Sequence, residues 1–369
     1  MHPVPRLLPM AMKPLTRNLK PETRNSICPF RNRQSAIRNL VLVGILALLL
    51  PYNSSAQAEK AGLFRQSRIL MGTSVEITVS QVAQKKAEEA MEAAFQEVER
   101  INLLMSHYRP DSEVSRITRH AGEKAIRVSP ETLEVIERAL FISRISGGAF
   151  DITIGPVFRL WNFREGKIPD PEKLRVQLKR VDYRRIRVDH SRSTVFLENP
   201  GMDLDLGAIA KGYAADRAGE ALRKKGVENF LVNAGGDLRA GGTKEKAVPW
   251  IIGIQHPRLP SDFIARIQPG NGGIATSGDY EKFFLQEGKR YHHILAPSTG
   301  MPARQCQSVT ILAPTAMDAD ALATTVFVLG PEKGFSLVEK MPGVHSIIVN
   351  RRGAVLLSPK WPAGVLLPP

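Results

Sequence analysis

Between Gln84 and Ser106 the apolar residues Met91, Ala94, Phe95, Val98, Ile101 and Met105 recur three and four positions apart, which predicts an amphipathic helix. Ahead of it, Leu70 to Val79 alternates apolar and polar positions as a half-buried strand does. A second helix is expected from Ser129-Pro130-Glu131, an N-cap serine followed by proline in the first turn, to the stop at Gly147-Gly148. Lys167 to Glu198 is charged and strand-like, and reads as a hairpin or small excursion. Beyond it, strands are expected at Asn229 to Val232, Trp250 to Ile254, Tyr291 to Leu295, Ser308 to Leu312 and Ser346 to Val349. Helices are expected at Ala210 to Lys224, Met317 to Leu329 and Pro331 to Lys340. Several strands follow one another without an intervening helix, so the pattern favours an α+β fold over a doubly wound parallel sheet. No internal repeat or low-complexity tract divides the chain after residue 58, which reads as one unit of two lobes at most.

The charge changes this picture once its distribution is considered. The chain of 369 residues carries a formal charge of +15, which by itself raises the question of nucleic acid. Residues 1–58, however, hold eight basic side chains against the single acid Glu22, so +7 of the total belongs to them. Arg38 is followed by the apolar run Leu40 to Leu50, then by a polar stretch ending in Ala56-Gln57-Ala58. That is the layout of a secretory signal, with cleavage expected after Ala58 and residues 59–369 as the mature chain. An uncleaved anchor is the competing reading, but the run is short of the roughly 20 apolar residues that a spanning helix needs. No cysteine follows the cleavage point to carry a lipid, and the long basic stretch leaves Met10 and Met12 as alternative starts. Removal of the leader discards Cys28 and leaves Cys306 alone, so neither an intrachain disulfide nor a thiolate metal cage is expected. The remaining charge lacks the basic stretches interleaved with aromatics that a nucleic-acid binder needs.

Candidate chemistry is spread over several segments. In Asp203-Leu-Asp-Leu-Gly207, Leu204 and Leu206 fall on one face of an extended stretch and Asp203 and Asp205 on the other, and an alanine-rich helix carrying Lys211 follows. A strand-to-helix junction of this kind suits a phosphate-bearing ligand; a solvated strand edge with a surface lysine is the plainer reading. Asn233-Ala-Gly-Gly-Asp237 follows a strand and reads either as a close backbone approach to a ligand or as a tight turn. Neither G-x-G-x-x-G nor G-x-x-x-x-G-K-[ST] occurs, which disfavours Rossmann and P-loop nucleotide enzymes. Phe150 and Asp151 are expected to be exposed just past a helix end, Phe150 either stacking on an aromatic ligand or packing in the core. Tyr108 invites the same choice between ligand contact and loop anchor. His292 and His293 open a strand and so point to opposite faces, which prevents them from chelating one metal together. One of them could line a site as a general base. Asp320 and Thr324 are four apart on a helix and supply hard oxygens that a Mg²⁺ on substrate phosphates could use; helix capping by Asp318 or Asp320 is the alternative.

Taken in order, the segments GGAFD, DLGAIAKGYAAD, NAGGD, IATSGDYE, HHILAPSTG and DADALATT resemble the ApbE family of FAD:protein FMN transferases over Leu70 to about Leu329. The resemblance implies a two-lobed fold of mixed or antiparallel sheets flanked by helices, with the active site between the lobes. Position by position, it implies flavin contacts at Met71, Tyr108, Ala149, Phe150, Asp151, Asp205, Lys211 and Ile294. A Mg²⁺ site would be formed by the Ala208 carbonyl, Asp320 and Thr324. Two departures are visible: Ala296 stands where many members have aspartate, and Ala323 where some have a second acid.

The activity so implied takes FAD as the donor. A threonine or serine hydroxyl of a partner protein attacks the phosphorus on the riboflavin side, FMN becomes phosphoester-linked and AMP leaves. His293 is the candidate for activating the acceptor hydroxyl, with Asp205 as the rival base. The acceptor would be an exported or membrane-bound redox flavoprotein subunit, and the enzyme periplasmic or held at the outer face of the inner membrane. The competing functions are an exported FAD carrier and an FAD pyrophosphatase without protein transfer.

Overall fold

The computed structural model describes residues 61–359 and 361. The expected leader, its cleavage point after Ala58 and Cys28 lie outside the described residues. The chain opens with the hairpin β1 (Gly62–Leu70) and β2 (Thr73–Val82), followed by α1 (Gln84–Met105), α2 (Glu113–Arg119), β3 (Ile126–Arg127), α3 (Pro130–Ile145), α4 (Gly155–Phe158) and α5 (Pro171–Leu178). Next come β4 (Ile186–Asp189), β5 (Thr194–Leu197), α6 (Ala210–Lys224), β6 (Phe230–Ala234), β7 (Asp237–Gly241), β8 (Ile252–Gln255), β9 (Phe263–Ile267) and β10 (Gly273–Gly278). The order ends with β11 (Phe283–Gln286), β12 (Lys289–His292), β13 (Cys306–Ala313), α7 (Ala316–Leu329), α8 (Pro331–Val338), β14 (His345–Asn350) and β15 (Val355–Leu357).

One eight-stranded sheet, in the order β1-β2-β6-β7-β10-β13-β14-β15, is antiparallel at every pairing. The α+β architecture expected from the sequence is therefore present. Alternation along the strands sends side chains to two different cores. Ala275, Val309, Ile311 and Ile348 join the main core, which also takes in α1, α6 and α7. Ile274, Leu312, Ile347 and Val349 form a second core with Ile254, Ile264 and Ile267 of the β8–β9 hairpin. The small sheet β3-β5-β4 and helix α3 feed the main core through Ile126, Val195, Leu197, Val135 and Ile136.

The helices behave as their periodicity predicts. Met91, Ala94, Phe95, Val98, Ile101 and Met105 are all buried along α1, and Ser129 caps α3 by accepting from Thr132 N–H. Two sequence expectations need correction. The opening strand drawn from Leu70 to Val79 spans a hairpin turn at Met71-Gly72, and its partner β1 was not foreseen, because β1 is an edge strand whose alternate residues are all partly or fully exposed. Helix α5 occupies part of the stretch read as a hairpin excursion; only β4 and β5 make the hairpin.

Helices α6 and α7 approach each other closely at Gly212. A Cβ added there would stand 2.1 Å from the Ala316 carbonyl oxygen and 2.9 Å from the Asp320 Cβ. Gly212→Ala is expected to force the helices apart and to lower stability by about 1–3 kcal/mol, a loss exceeding the helix-propensity gain of alanine over glycine. Urea unfolding checks this, and an unchanged midpoint would contradict it.

Candidate functional site

Three elements meet at Lys211, the second residue of α6. Its ammonium is ion-paired with Asp237, the first residue of β7, and lies 3.4 Å from Asp320 Oδ2 of α7. The Asp237 and Asp320 carboxylates are both buried, each only 6% exposed. Burial alone would lower the Lys211 pKa, but the two carboxylates raise it well above the ordinary lysine value, so the side chain stays charged. Burial and the neighbouring Asp320 push Asp237 upward, against the pull of Lys211. Asp320 Oδ2 also accepts from Gly212 N–H at 3.1 Å. Both of these contacts fall on Oδ2, which leaves Oδ1 as the oxygen that a cation could use. One turn on, the Thr324 hydroxyl is 3.1 Å from Ser277 Oγ of β10. The residue before α6, Ile209, offers no side-chain cap, and Asp320 takes the Gly212 N–H of the first turn from across the helix pair.

The donor set here consists of hard oxygens: a buried carboxylate, a hydroxyl one helical turn away and the half-buried Ala208, with its carbonyl, just before α6. That chemistry fits Mg²⁺ with water completing the shell. Among the described residues there is no cluster of three or more His, Cys, Asp or Glu side chains that would make a closed all-protein metal cage. Neither Asp318 nor Asp320 caps α7, as the alternative reading had it. Thr315 is the N-cap, Asp216 of α6 accepts from the Ala316 and Met317 N–H groups at 2.9 Å each, and Asp318 pairs with Arg138. Burial pushes Asp216 up to about 6 despite those N–H groups.

The segment before α6 is extended but is not a sheet strand; it makes an isolated bridge from Ile154 to Asp203. Leu204 and Leu206 are buried, so the reading of a solvated strand edge is set aside. Asp203 is held by Arg159 and by the Thr118 hydroxyl at 3.2 Å. Asp205 Oδ1 accepts from Gly207 N–H at 2.7 Å and lies 3.3 Å from His107 Nδ1. Burial works to raise Asp205, but His107, the Gly207 N–H and Arg159 outweigh it and hold the carboxyl below its ordinary value.

The two histidines differ. His292 is buried, with Nε2 2.8 Å from the Ala303 carbonyl oxygen, Nδ1 accepting from Ile294 N–H and its ring set edge-on to Phe327. His293 has a buried Nδ1 with no hydrogen-bond partner among the described residues. Burial, reinforced by the charges of Lys282 and Lys211, pushes His293 down to about 4.

The remaining expected residues are more dispersed in character. Met71 occupies the β1–β2 turn at φ 52°, and Tyr108 is 78% exposed with its ring 3.9 Å from that of His107. Ala149 is half-buried and Ile294 buried. Phe150 and Asp151 are not exposed as expected. Phe150 packs into the main core, and Asp151 bonds Thr153 N–H, the Thr153 hydroxyl and Tyr183 N–H. Asp151 thus ties its loop together; burial raises its pKa against those bonds. Sequence reasoning missed Asp237, Asp216, Ser277, His107 and Arg159. Of these, Asp237 had a signal, an acid placed directly after a two-glycine turn.

Comparison with known proteins matches this arrangement to one family. Residues 71–348 match the model of the ApbE family. The chain is 34% identical over 305 residues to the FAD:protein FMN transferase of Vibrio cholerae, covering 81% of this chain and 90% of that one. It is 34% identical over 326 residues to the FAD:protein FMN transferase of Treponema pallidum, covering 83% and 90%. Among solved structures, the ApbE protein of Thermotoga maritima superposes with a TM-score of 0.74 at 38% identity, over 80% of this chain and 97% of that one. The flavin transferase ApbE of Vibrio cholerae gives 0.72 at 33% identity, over 81% and 98%. The order of motifs, the fold and the matched span agree, and the chain belongs to the ApbE family.

Proposed function

We propose that the protein is an FAD:protein FMN transferase that moves the FMN portion of FAD onto a threonine or serine hydroxyl of a partner protein and releases AMP. The observation that carries this reading is the convergence of one half-buried ammonium, Lys211, with the Asp320 and Thr324 oxygens at the start of α6. A diphosphate needs such cationic and N–H donors. Asp320, Thr324 and the Ala208 carbonyl would hold Mg²⁺, which when bound supplies Lewis-acid stabilisation of phosphate oxygens. Lys211 would sit against the diphosphate and stabilise the charge that develops on the departing AMP. In the transfer, the acceptor hydroxyl oxygen forms a bond to the riboflavin-side phosphorus, the phosphoanhydride bond to AMP breaks, and the hydroxyl proton passes to a base.

His293 is the better base of the two candidates. Its lowered pKa keeps it neutral, and its unpartnered Nδ1 is free to take a hydrogen bond or orient a phosphate. Asp205 already spends Oδ1 on Gly207 and His107, so it has less of its carboxylate free to meet an acceptor hydroxyl. The leader-like first 58 residues support an acceptor outside the cytoplasm, an exported or membrane-bound redox subunit, with the enzyme in the periplasm or at the outer face of the inner membrane. Among the described residues no helix is long and apolar enough to cross a membrane.

Incubation with FAD, Mg²⁺ and a candidate exported flavoprotein should add an FMN-sized mass to the acceptor. AMP without labelling would indicate hydrolysis instead, and FAD binding without AMP a carrier. Asp320→Ala should remain folded and lose Mg²⁺-dependent AMP release; full activity would remove the proposed metal site. His293→Ala should slow transfer by about 10²-fold or more with Mg²⁺ saturating, and a wild-type rate would end its assignment. Titration of His293 gives a second check. An unfolded histidine takes up a proton near its ordinary value of 6.5, whereas folded His293 resists until about 4, so its burial costs stability progressively as pH falls through that window. His293→Gln should therefore lose less stability than wild type between those limits, by at most roughly 3 kcal/mol. Asp216, raised in the folded state, acts in the opposite sense and cancels in the comparison. Parallel acid-unfolding curves would contradict the burial of a neutral His293.

A further inference from the structure

Asp237 is fixed more firmly than a solvated acid at the end of a turn would be. The β6–β7 hairpin turns on Gly235 and Gly236, both at positive φ, with Ala234 paired to Asp237 across the turn. Asn233 Oδ1 accepts from Gly236 N–H at 2.8 Å, and a Cβ at Gly235 would meet Thr73 Oγ1 at 2.5 Å. The turn therefore has one tight geometry, and that geometry delivers a buried carboxylate to the Lys211 ammonium.

Among the described residues the ion pairs of Lys211 are with Asp237 and Asp320. Asp237 is the closer partner, and Asp320 lies at 3.4 Å. The acid next along α7, Asp318, is committed to Arg138, and position 323 is a buried alanine. Asp320 is thus the carboxylate that α7 brings to this point. An ammonium and a divalent cation compete for the same carboxylate, and in a buried setting the competition is strong. If Lys211 had no other partner, its ammonium would settle on Asp320 and neutralise it.

We propose that Asp237 is a positioning residue that holds the Lys211 ammonium back from Asp320, so that Asp320 remains available to a divalent cation while Lys211 stays charged beside it. This rests on the reading of Asp320 and Thr324 as the Mg²⁺ site. It assigns Asp237 to neither metal nor flavin, and gives the NAGGD segment a function that a tight turn alone does not.

The test is Mn²⁺ binding, read from the electron paramagnetic resonance signal of free Mn²⁺, on wild type, Asp237→Asn, Lys211→Met and the Asp237→Asn/Lys211→Met pair. Asp237→Asn should weaken binding by about tenfold or more, because the released ammonium moves onto Asp320. The double variant should recover to within about twofold of Lys211→Met, since the competing charge is gone. It removes both members of the Lys211–Asp237 pair and leaves the Asp320 carboxylate with the Gly212 N–H and the added Mn²⁺, so folding of each variant is checked by circular dichroism with the metal present. Wild-type affinity in a folded Asp237→Asn would overturn the proposal and leave the metal site standing. A double variant that stays weak beside a tight Lys211→Met would make Asp237 a metal ligand and overturn it as well. Failure of the wild type to bind Mn²⁺ would remove the metal site itself, and the inference with it.

Discussion

One lysine ammonium held between two buried carboxylates is the interaction on which the candidate site depends. Lys211, Asp237 and Asp320 come from α6, β7 and α7, and each would be costly to bury unpaired. The Lys211–Asp237 pair and the bond from Gly212 N–H to Asp320 therefore require the three elements to arrive at one point, which fixes how α6 and α7 lie on the sheet. Gly212 permits the approach by presenting no side chain to the Ala316 carbonyl, and Asp216 anchors the first N–H groups of α7. The same few residues thus serve packing and chemistry together.

The rest of the fold brings further groups to that point. The all-antiparallel sheet is covered on one face by α1, α6 and α7 and on the other by the β8–β9 hairpin, so its strands carry apolar side chains on both faces. The β11–β12 hairpin packs through Phe284 and Tyr291, stacked at 5.3 Å, against the Trp161 and Phe163 pair, stacked at 5.4 Å. His292 then locks the end of β12 onto the Ala303 carbonyl, and the next residue, His293, is buried where the charges of Lys282 and Lys211 act on it. A structural histidine thereby orients the chain for its more chemically available neighbour.

What was legible in the sequence follows from which interactions are local. Helices α1, α6 and α7 were readable because burial on one side imposes a period that the residues display, and the Asp320–Thr324 pair was readable because four residues make one helical turn. β1 was not, since an edge strand has little contrast between its faces, and neither was β10, whose partners β7 and β13 lie at a distance along the chain. Asp151 was expected to be exposed because it follows two glycines past a helix end; its partners Thr153 and Tyr183 come together only in the folded loop. Asp237, His107 and Arg159 escaped for the same reason, being defined by partners 26 to 98 residues away.

On the proposed function, the FAD diphosphate and its cation bind where Lys211, Asp320 and Thr324 meet. Anomalous diffraction from crystals grown with FAD and Mn²⁺ addresses it directly. A manganese peak on Asp320 and Thr324 is expected, with the diphosphate within reach of Lys211. A peak elsewhere, or a diphosphate bound away from the start of α6, would contradict it.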